Sequence, residues 1–239
     1  MDAFPALHPS GREPRESRIA GVLLTNADLD HVLGLLLLRE GPALRVHATP
    51  AVRETLSASG IDSLLTAFCE VAWTEPDPEW TEIKGPAGTP GGLTARTIFL
   101  PGAPPPFQKK SAHATGHSIA YQIEDRQTRA RLLVAPDVSA ITPELAEALG
   151  NSDIILFDGT FWSSDELSQV RKGARLAQDM GHLPINGGSL PLLRDLPARH
   201  KAYFHINNTN PILAPGSPER AQVEAAGMIV GFDGLEFGV

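Results

Sequence analysis

The chain has 239 residues, 42% hydrophobic and 20% charged, with a net charge of −8. That length buries a substantial core in one or two domains, and an acidic balance without any Lys/Arg-rich run argues against a nucleic-acid binder. No apolar run reaches the roughly 18 residues of a membrane span, and the N-terminus lacks the basic-then-apolar pattern of a secretory signal, so the cytoplasm is the expected location.

The single cysteine, Cys69, rules out structural disulfides and a cysteine-built zinc knuckle. It reads as a small core residue of an apolar helix. Any metal would then be held by His and carboxylate, which favours iron, manganese or zinc.

Residues 18–24, "RIAGVLL", read as a strand, followed by an almost wholly apolar helix over about 31–39 that Gly41-Pro42 stops. "LRVHA" (44–48) is a short strand. Thr49 then caps a helix with Pro50 at its first position, ending near Gly60, and a further helix runs to about 68. From Thr74 to Pro106 the chain is rich in Pro and Gly, with strands expected only near 80–84 and 93–100. Residues 102–117 form a long loop, and long loops in compact domains are usually functional or mobile. Strands at 118–125 and 130–135 flank a charged turn. Thr142 and Pro143 start a helix that Gly150 ends. "DIILF" (153–157) is a buried strand by its continuous apolar run. Helical segments are expected at 164–180 and 190–197, a strand at 201–206, a helix at 217–227, and closing strands in "MIVGF" and "LEFGV". Such alternation implies an α/β layered domain.

The chemistry-bearing residues fall just after strands. Asp28, Asp30 and His31 follow the first, Asp137 follows "RLLVAP", Asp158 follows "IILF", and His205 ends "KAYFHI". In α/β sheets, ligand sites collect at the carboxyl ends of strands. Taken singly, each residue has an ordinary reading. Asp28 or Asp30 caps a helix, His31 is a hydrogen-bonded structural histidine, Asp137 caps a turn, and Asp158-Gly159 is a turn pair. Taken together, His31 and His205 with Asp30 and Asp137 make a two-histidine, two-carboxylate set. Two histidines and one carboxylate with open positions suit non-haem iron(II), and the same ligands on zinc would activate water.

His182, in a Gly/Pro loop, is either an exposed loop histidine or an acid/base or ligand. The Asn-rich run after His205 either hydrogen-bonds a tight turn or orients a metal-bound histidine. His113 and His117 are candidate substrate contacts; His8, His47 and His200 read as surface or strand residues.

The segments "LLTNADLDHVLGLLLLRE", "LFDGTFWSSDEL", "MGHLPINGGSL" and "HINNTNPIL", followed by "SPERAQVEAAG", resemble the pyrroloquinoline quinone (PQQ) biosynthesis protein B family of the metallo-β-lactamase-fold superfamily. The resemblance runs from about residue 4 to the C-terminus. It implies a four-layer αββα sandwich, with residues 1–239 as one domain. The superfamily motif His-x-His-x-Asp-His falls on Asn26, Asp28, Asp30 and His31, so its first two histidines are replaced while its Asp-His pair survives. The later bridging aspartate matches Asp137 and the last histidine matches His205. The implied site is therefore one principal metal on Asp30, His31 and His205, assisted by Asp137, with His182 as acid/base and Asp28 as a specialised replacement in the catalytic pocket.

Family members look like iron(II)-dependent oxygenases that use O2 to hydroxylate the tyrosine ring of a Glu-Tyr unit, zinc being the other metal considered. An older description is a carrier moving the quinone or its precursor toward the periplasm, and a zinc hydrolase is a further alternative. Members begin with a Gly-rich strand segment and a Cys-x-Cys-x-x-Cys knuckle. The resemblance thus implies an N-terminally truncated form, whose exposed sheet edge is an association liability; a homodimer is the expected protein partner.

Overall fold

A computed structural model describes residues 19–39, 43–85 and 88–238. His8, the first part of the predicted 18–24 strand and the Gly41-Pro42 stop lie wholly or partly outside them.

Two sheets organise the chain. Parallel strands β1 (Val22–Leu23), β2 (Leu44–His47) and β3 (Val71–Thr74) form the smaller one. The larger runs in the order β10-β9-β8-β7-β6-β5-β4, from β4 (Thr81–Lys84), β5 (Pro90–Leu100), β6 (Ser118–Asp125), β7 (Arg131–Ala135), β8 (Ile154–Asp158), β9 (His200–Phe204) and β10 (Ile229–Val230). The strands from β4 to β7 pair antiparallel, and those from β7 to β10 pair parallel. Parallel neighbours need crossovers. Helices α4 (Pro143–Gly150), α5 (Glu166–Val170) with α6 (Leu190–Arg194), and α7 (Pro218–Ala225) lie in those crossovers.

Each sheet has its own core. Leu133, Ala135, Ile155, Phe157 and Tyr203 pack against Leu145 and Leu149 of α4, Leu193 of α6 and Val223 of α7. Leu44 and Val46 pack against Val52 and Leu56 of α2 (Pro50–Ala58) and Leu65 of α3 (Ile61–Thr66). The inner faces meet where Ile119 N–H donates to the Thr25 carbonyl at 2.9 Å and the buried Tyr121 hydroxyl donates to that of Leu24 at 3.2 Å. The layers are helix, sheet, sheet, helix, as the family resemblance implied.

Local signals account for the helix starts. Thr49, Thr142 and Ser217 each accept a backbone N–H three residues ahead, and Pro follows each of them. The 31–39 helix departs from expectation. One α-helical turn, α1 (Leu29–Val32), passes into a 3-10 helix over Leu33–Leu38. Val32 and Leu35 are fully buried and Leu38 partly so, a three-residue repeat that matches a 3-10 turn. Leu29, Leu33 and Leu37 are exposed. The predicted 164–180 helix reduces to α5 and a 3-10 turn at Gln178–Met180, because Arg171 turns extended and Gly173 adopts φ +77°. α6 stops at Arg194, and no strand forms over 235–238.

Candidate metal centre

The carboxyl ends of β1, β7, β8 and β9 deliver the site. After β9 the backbone turns at His205, whose φ of +53° is unusual for a residue with a Cβ and marks a position held by its surroundings. After β8 comes Gly159, where a Cβ would stand 2.8 Å from Tyr203 Cβ and 3.0 Å from the Phe204 carbonyl oxygen. Only glycine lets the two strand ends close, and its N–H donates to Phe204 O at 2.8 Å.

His31 Nε2 and His205 Nε2 lie 2.9 Å apart. An Asp30 carboxylate oxygen lies 3.2 Å from His205 Nε2 and 3.7 Å from His31 Nε2. Asp137 reaches to 3.4 Å of His31 Nε2 and 3.7 Å of His182 Nε2. Among the described residues two clusters can hold a metal ion: Asp30, His31 and His205, and Asp137, His182 and His205. The four residues expected as ligands therefore meet, and His182 joins them. Asp28 lines the same cavity but belongs to neither cluster. It occupies the cap position of α1 without a side-chain cap bond; its N–H is held by Asn26 Oδ1 at 3.0 Å.

Asp158, which the sequence allows to be a turn residue, is the hub. Fully buried, it accepts from Val138 N–H and Thr160 N–H, both at 3.0 Å, from the Thr160 hydroxyl at 2.6 Å and from His182 Nδ1 at 2.8 Å. The Thr160 hydroxyl oxygen lies 2.8 Å from His205 Nδ1. Asp158 itself is 3.9 Å from that nitrogen, beyond hydrogen-bond reach, so its hold on His205 runs through Thr160. Fixing Nδ1 as the donor presents Nε2 toward the cluster. Thr25 does the same for His31, its hydroxyl lying 3.3 Å from Nδ1, and Asn26 Nδ2 donates to Asp137. Thr160 was missed in the sequence, as were the roles of Asn26 and Asp158. The available signal was that Asp158 ends a parallel strand, as Asp137 nearly does.

The electrostatics split the histidines. Burial and the positive charge of His205 push His31 down to about 4. Burial works against a proton on His205 too, but the Asp158 link and the Asp137 charge outweigh it and raise His205 to about 9. The pair thus holds one proton between two facing Nε2 atoms. Burial raises Asp137 to about 6. Asp158 is lowered despite complete burial, because the hydrogen bonds it accepts favour its charged form.

The Asn-rich run holds the backbone. Asn210 Nδ2 donates to Gly159 O at 2.8 Å, and Asn207 N–H donates to Thr160 O at 3.2 Å. His117 is buried, with Nε2 3.0 Å from the His113 carbonyl oxygen. Neither His113 nor His117 belongs to a donor cluster. His47 lies in β2, and His200 in β9 against the Phe237 ring at 5.0 Å.

Residues 1–206 match the family described as beta-lactamase superfamily domain. Coenzyme PQQ synthesis protein B of Cupriavidus necator is 39% identical over 237 residues, covering 97% of this chain and 77% of that protein. Its counterpart in Nitrosococcus oceani is 35% identical over 250 residues, covering 99% and 79%. The crystal structure of Zn(2+)-bound PqqB from Methylobacterium extorquens superposes with a TM-score of 0.86 at 32% identity, covering 100% of this chain and 79% of that one. A diphosphatase of the PhnP family, 18% identical with a TM-score of 0.58 over 92% of this chain and 72% of its own, shares the fold. No helix among the described residues is long and apolar enough to cross a membrane. The chain belongs to the beta-lactamase superfamily and, within it, to the family of coenzyme PQQ synthesis protein B.

Proposed function

We propose that the chain acts in PQQ biosynthesis as a non-haem iron(II)-dependent oxygenase that hydroxylates the tyrosine ring of a Glu-Tyr unit. The observation that carries this reading is the convergence of His31 and His205 Nε2, 2.9 Å apart, with the Asp30 carboxylate. Two imidazoles and one carboxylate suit iron(II) and leave coordination positions open. The donors fit such an ion: each Nδ1 is engaged by a threonine hydroxyl, leaving both Nε2 lone pairs for one point.

Asp30, His31 and His205 would hold the ion, with Asp137 beside them. When bound, iron(II) supplies the activation of O2. The protein's own groups do the rest. To ligate, His205 would give up the proton on Nε2, while Thr160 and Asp158 keep that ring in its ligating orientation. His182, fixed at Nδ1 by Asp158 and raised by that hydrogen bond against the opposing effect of burial, turns Nε2 to the cavity as an acid/base for the phenol of the substrate. Asp28, raised by burial and the neighbouring Asp30 charge, faces the same space.

The test is anaerobic reconstitution with iron(II), then oxygen uptake on adding a Glu-Tyr dipeptide. Uptake is expected in the wild type and not in His31→Ala; equal uptake in both overturns the proposal.

A second reading, a two-zinc hydrolase, draws on the Asp137, His182 and His205 cluster. Asn26 and Asp28, standing where the superfamily motif has histidines, weigh against it, since two-metal hydrolysis needs both positions well held. Two zinc ions per chain with hydrolytic turnover would favour it.

A further inference from the structure

We propose that Arg175 is a specificity-determining residue that binds a carboxylate of the substrate; this rests on the oxygenase reading. Among the described residues, the cavity over the histidine cluster, about 610 Å³, is lined by four aspartates (Asp28, Asp30, Asp137 and Asp179) and by one Lys or Arg side chain, that of Arg175. A Glu-Tyr unit carries an aromatic ring that must reach the histidines and carboxylates that four aspartates repel. An arginine fork answers that need, because it pairs with a carboxylate through two parallel hydrogen bonds.

Arg175 is exposed at the cavity rim, and its guanidinium, like those of Arg171 and Arg199, has no hydrogen bond or ion pair to any described residue, which leaves it available to a ligand. Its backbone is nonetheless fixed relative to the chemistry. Ala174 N–H closes a turn onto Arg171 O at 3.1 Å. Two residues beyond Arg175, buried Ala177 donates its N–H to Ser164 O at 2.8 Å and accepts the N–H of His182 at 3.0 Å. Arg175 and His182 therefore hang from one hydrogen-bonded turn, the guanidinium at one end and the imidazole at the other. Pro101 and Pro104–Pro106 line the same cavity, a stiff apolar wall suited to an aromatic ring.

The experiment is equilibrium binding of three dipeptides to the iron(II)-loaded protein without oxygen: Glu-Tyr, Gln-Tyr and Glu-Tyr-amide. The wild type is expected to prefer Glu-Tyr to at least one amide by about tenfold, about 1.4 kcal/mol. The disfavoured amide identifies which carboxylate is read. Arg175→Ala should erase the preference and Arg175→Lys restore part of it, with melting unchanged because the side chain is exposed and makes no hydrogen bond or ion pair to a described residue. In turnover, the loss should fall in KM rather than kcat. Binding of all three alike by the wild type, or a preference that survives in Arg175→Ala, overturns the inference. Arg175-dependent binding without oxygen uptake refutes the oxygenase reading alone, and uptake with Arg175-independent binding refutes this inference alone.

Discussion

Replacing Asp158 with Asn removes a charge while keeping the shape, at the point where the site is tied together. Each carboxylate oxygen accepts one backbone N–H and one side-chain donor: Thr160 N–H and hydroxyl on Oδ1, Val138 N–H and His182 Nδ1 on Oδ2. An amide has one oxygen. Whichever way it turns, its NH2 faces a backbone donor that can neither rotate nor change tautomer, so one buried N–H is orphaned. That costs about 1–3 kcal/mol, and the remaining bonds lose their charge assistance. The expected total is about 3 kcal/mol, a fall in Tm of about 6–12 °C for a chain of this size. Because His182 and, through Thr160, His205 lose their anchor, metal affinity should fall about 10–100-fold. Asp158 has a lowered pKa, so its contribution is present above the unfolded value near 3.9 and is lost as pH falls below it; the gap between variant and wild type should narrow below about pH 4. Chemical denaturation at pH 7 and metal titration are the assays. A loss under about 0.5 kcal/mol with affinity within about twofold would refute the hub role.

Thr160→Val removes the relay to His205 and the hydroxyl bond to Asp158 Oδ1: stability should fall by about 1–2 kcal/mol and metal affinity severalfold, while His182, still bonded to Asp158 Oδ2, keeps its hydrogen-bonded Nδ1 by NMR. Loading metal at pH 7.5 should release close to one proton, since His205 holds its proton to about 9 while His31 is already neutral. Calorimetry in buffers of different ionisation enthalpy reads this, and zero release contradicts the shared-proton arrangement. Thr49→Ala removes the α2 cap and the 2.6 Å bond to Gly116 O. A loss of about 1–2 kcal/mol should come with faster amide exchange over 102–117. Tyr121→Phe should cost about 1 kcal/mol by cutting the hydroxyl bond between the sheets; an unchanged melt argues against that contact.

The sequence conveyed what rests on local chemistry. Thr-Pro and Ser-Pro pairs mark three helix starts because cap and first-turn geometry are set within four residues. Continuous apolar runs reveal β7 and β8. β3 was missed because its partner, β2, is distant in sequence, and "VAWT" carries no pattern of its own. The 164–180 segment looks helical by composition, yet its backbone follows the cavity wall. At the site, strand-end placement brought out Asp30, His31, Asp137 and His205. It pointed to Asp158 as well, but Asp-Gly is also an ordinary turn pair, so that residue was left out of the ligand set. Only the folded chain shows that His182 reaches that carboxylate directly and that His205, set beside it by the pairing of β8 with β9, reaches it through Thr160.

The most direct test of the metal centre is the stoichiometry and X-ray absorption of the iron(II)-loaded protein beside His31→Ala and His205→Ala. The expected result is one ion per chain in a nitrogen/oxygen shell containing two imidazoles, lost in either variant. An iron shell unchanged in His205→Ala, or no iron retained by the wild type, would contradict it.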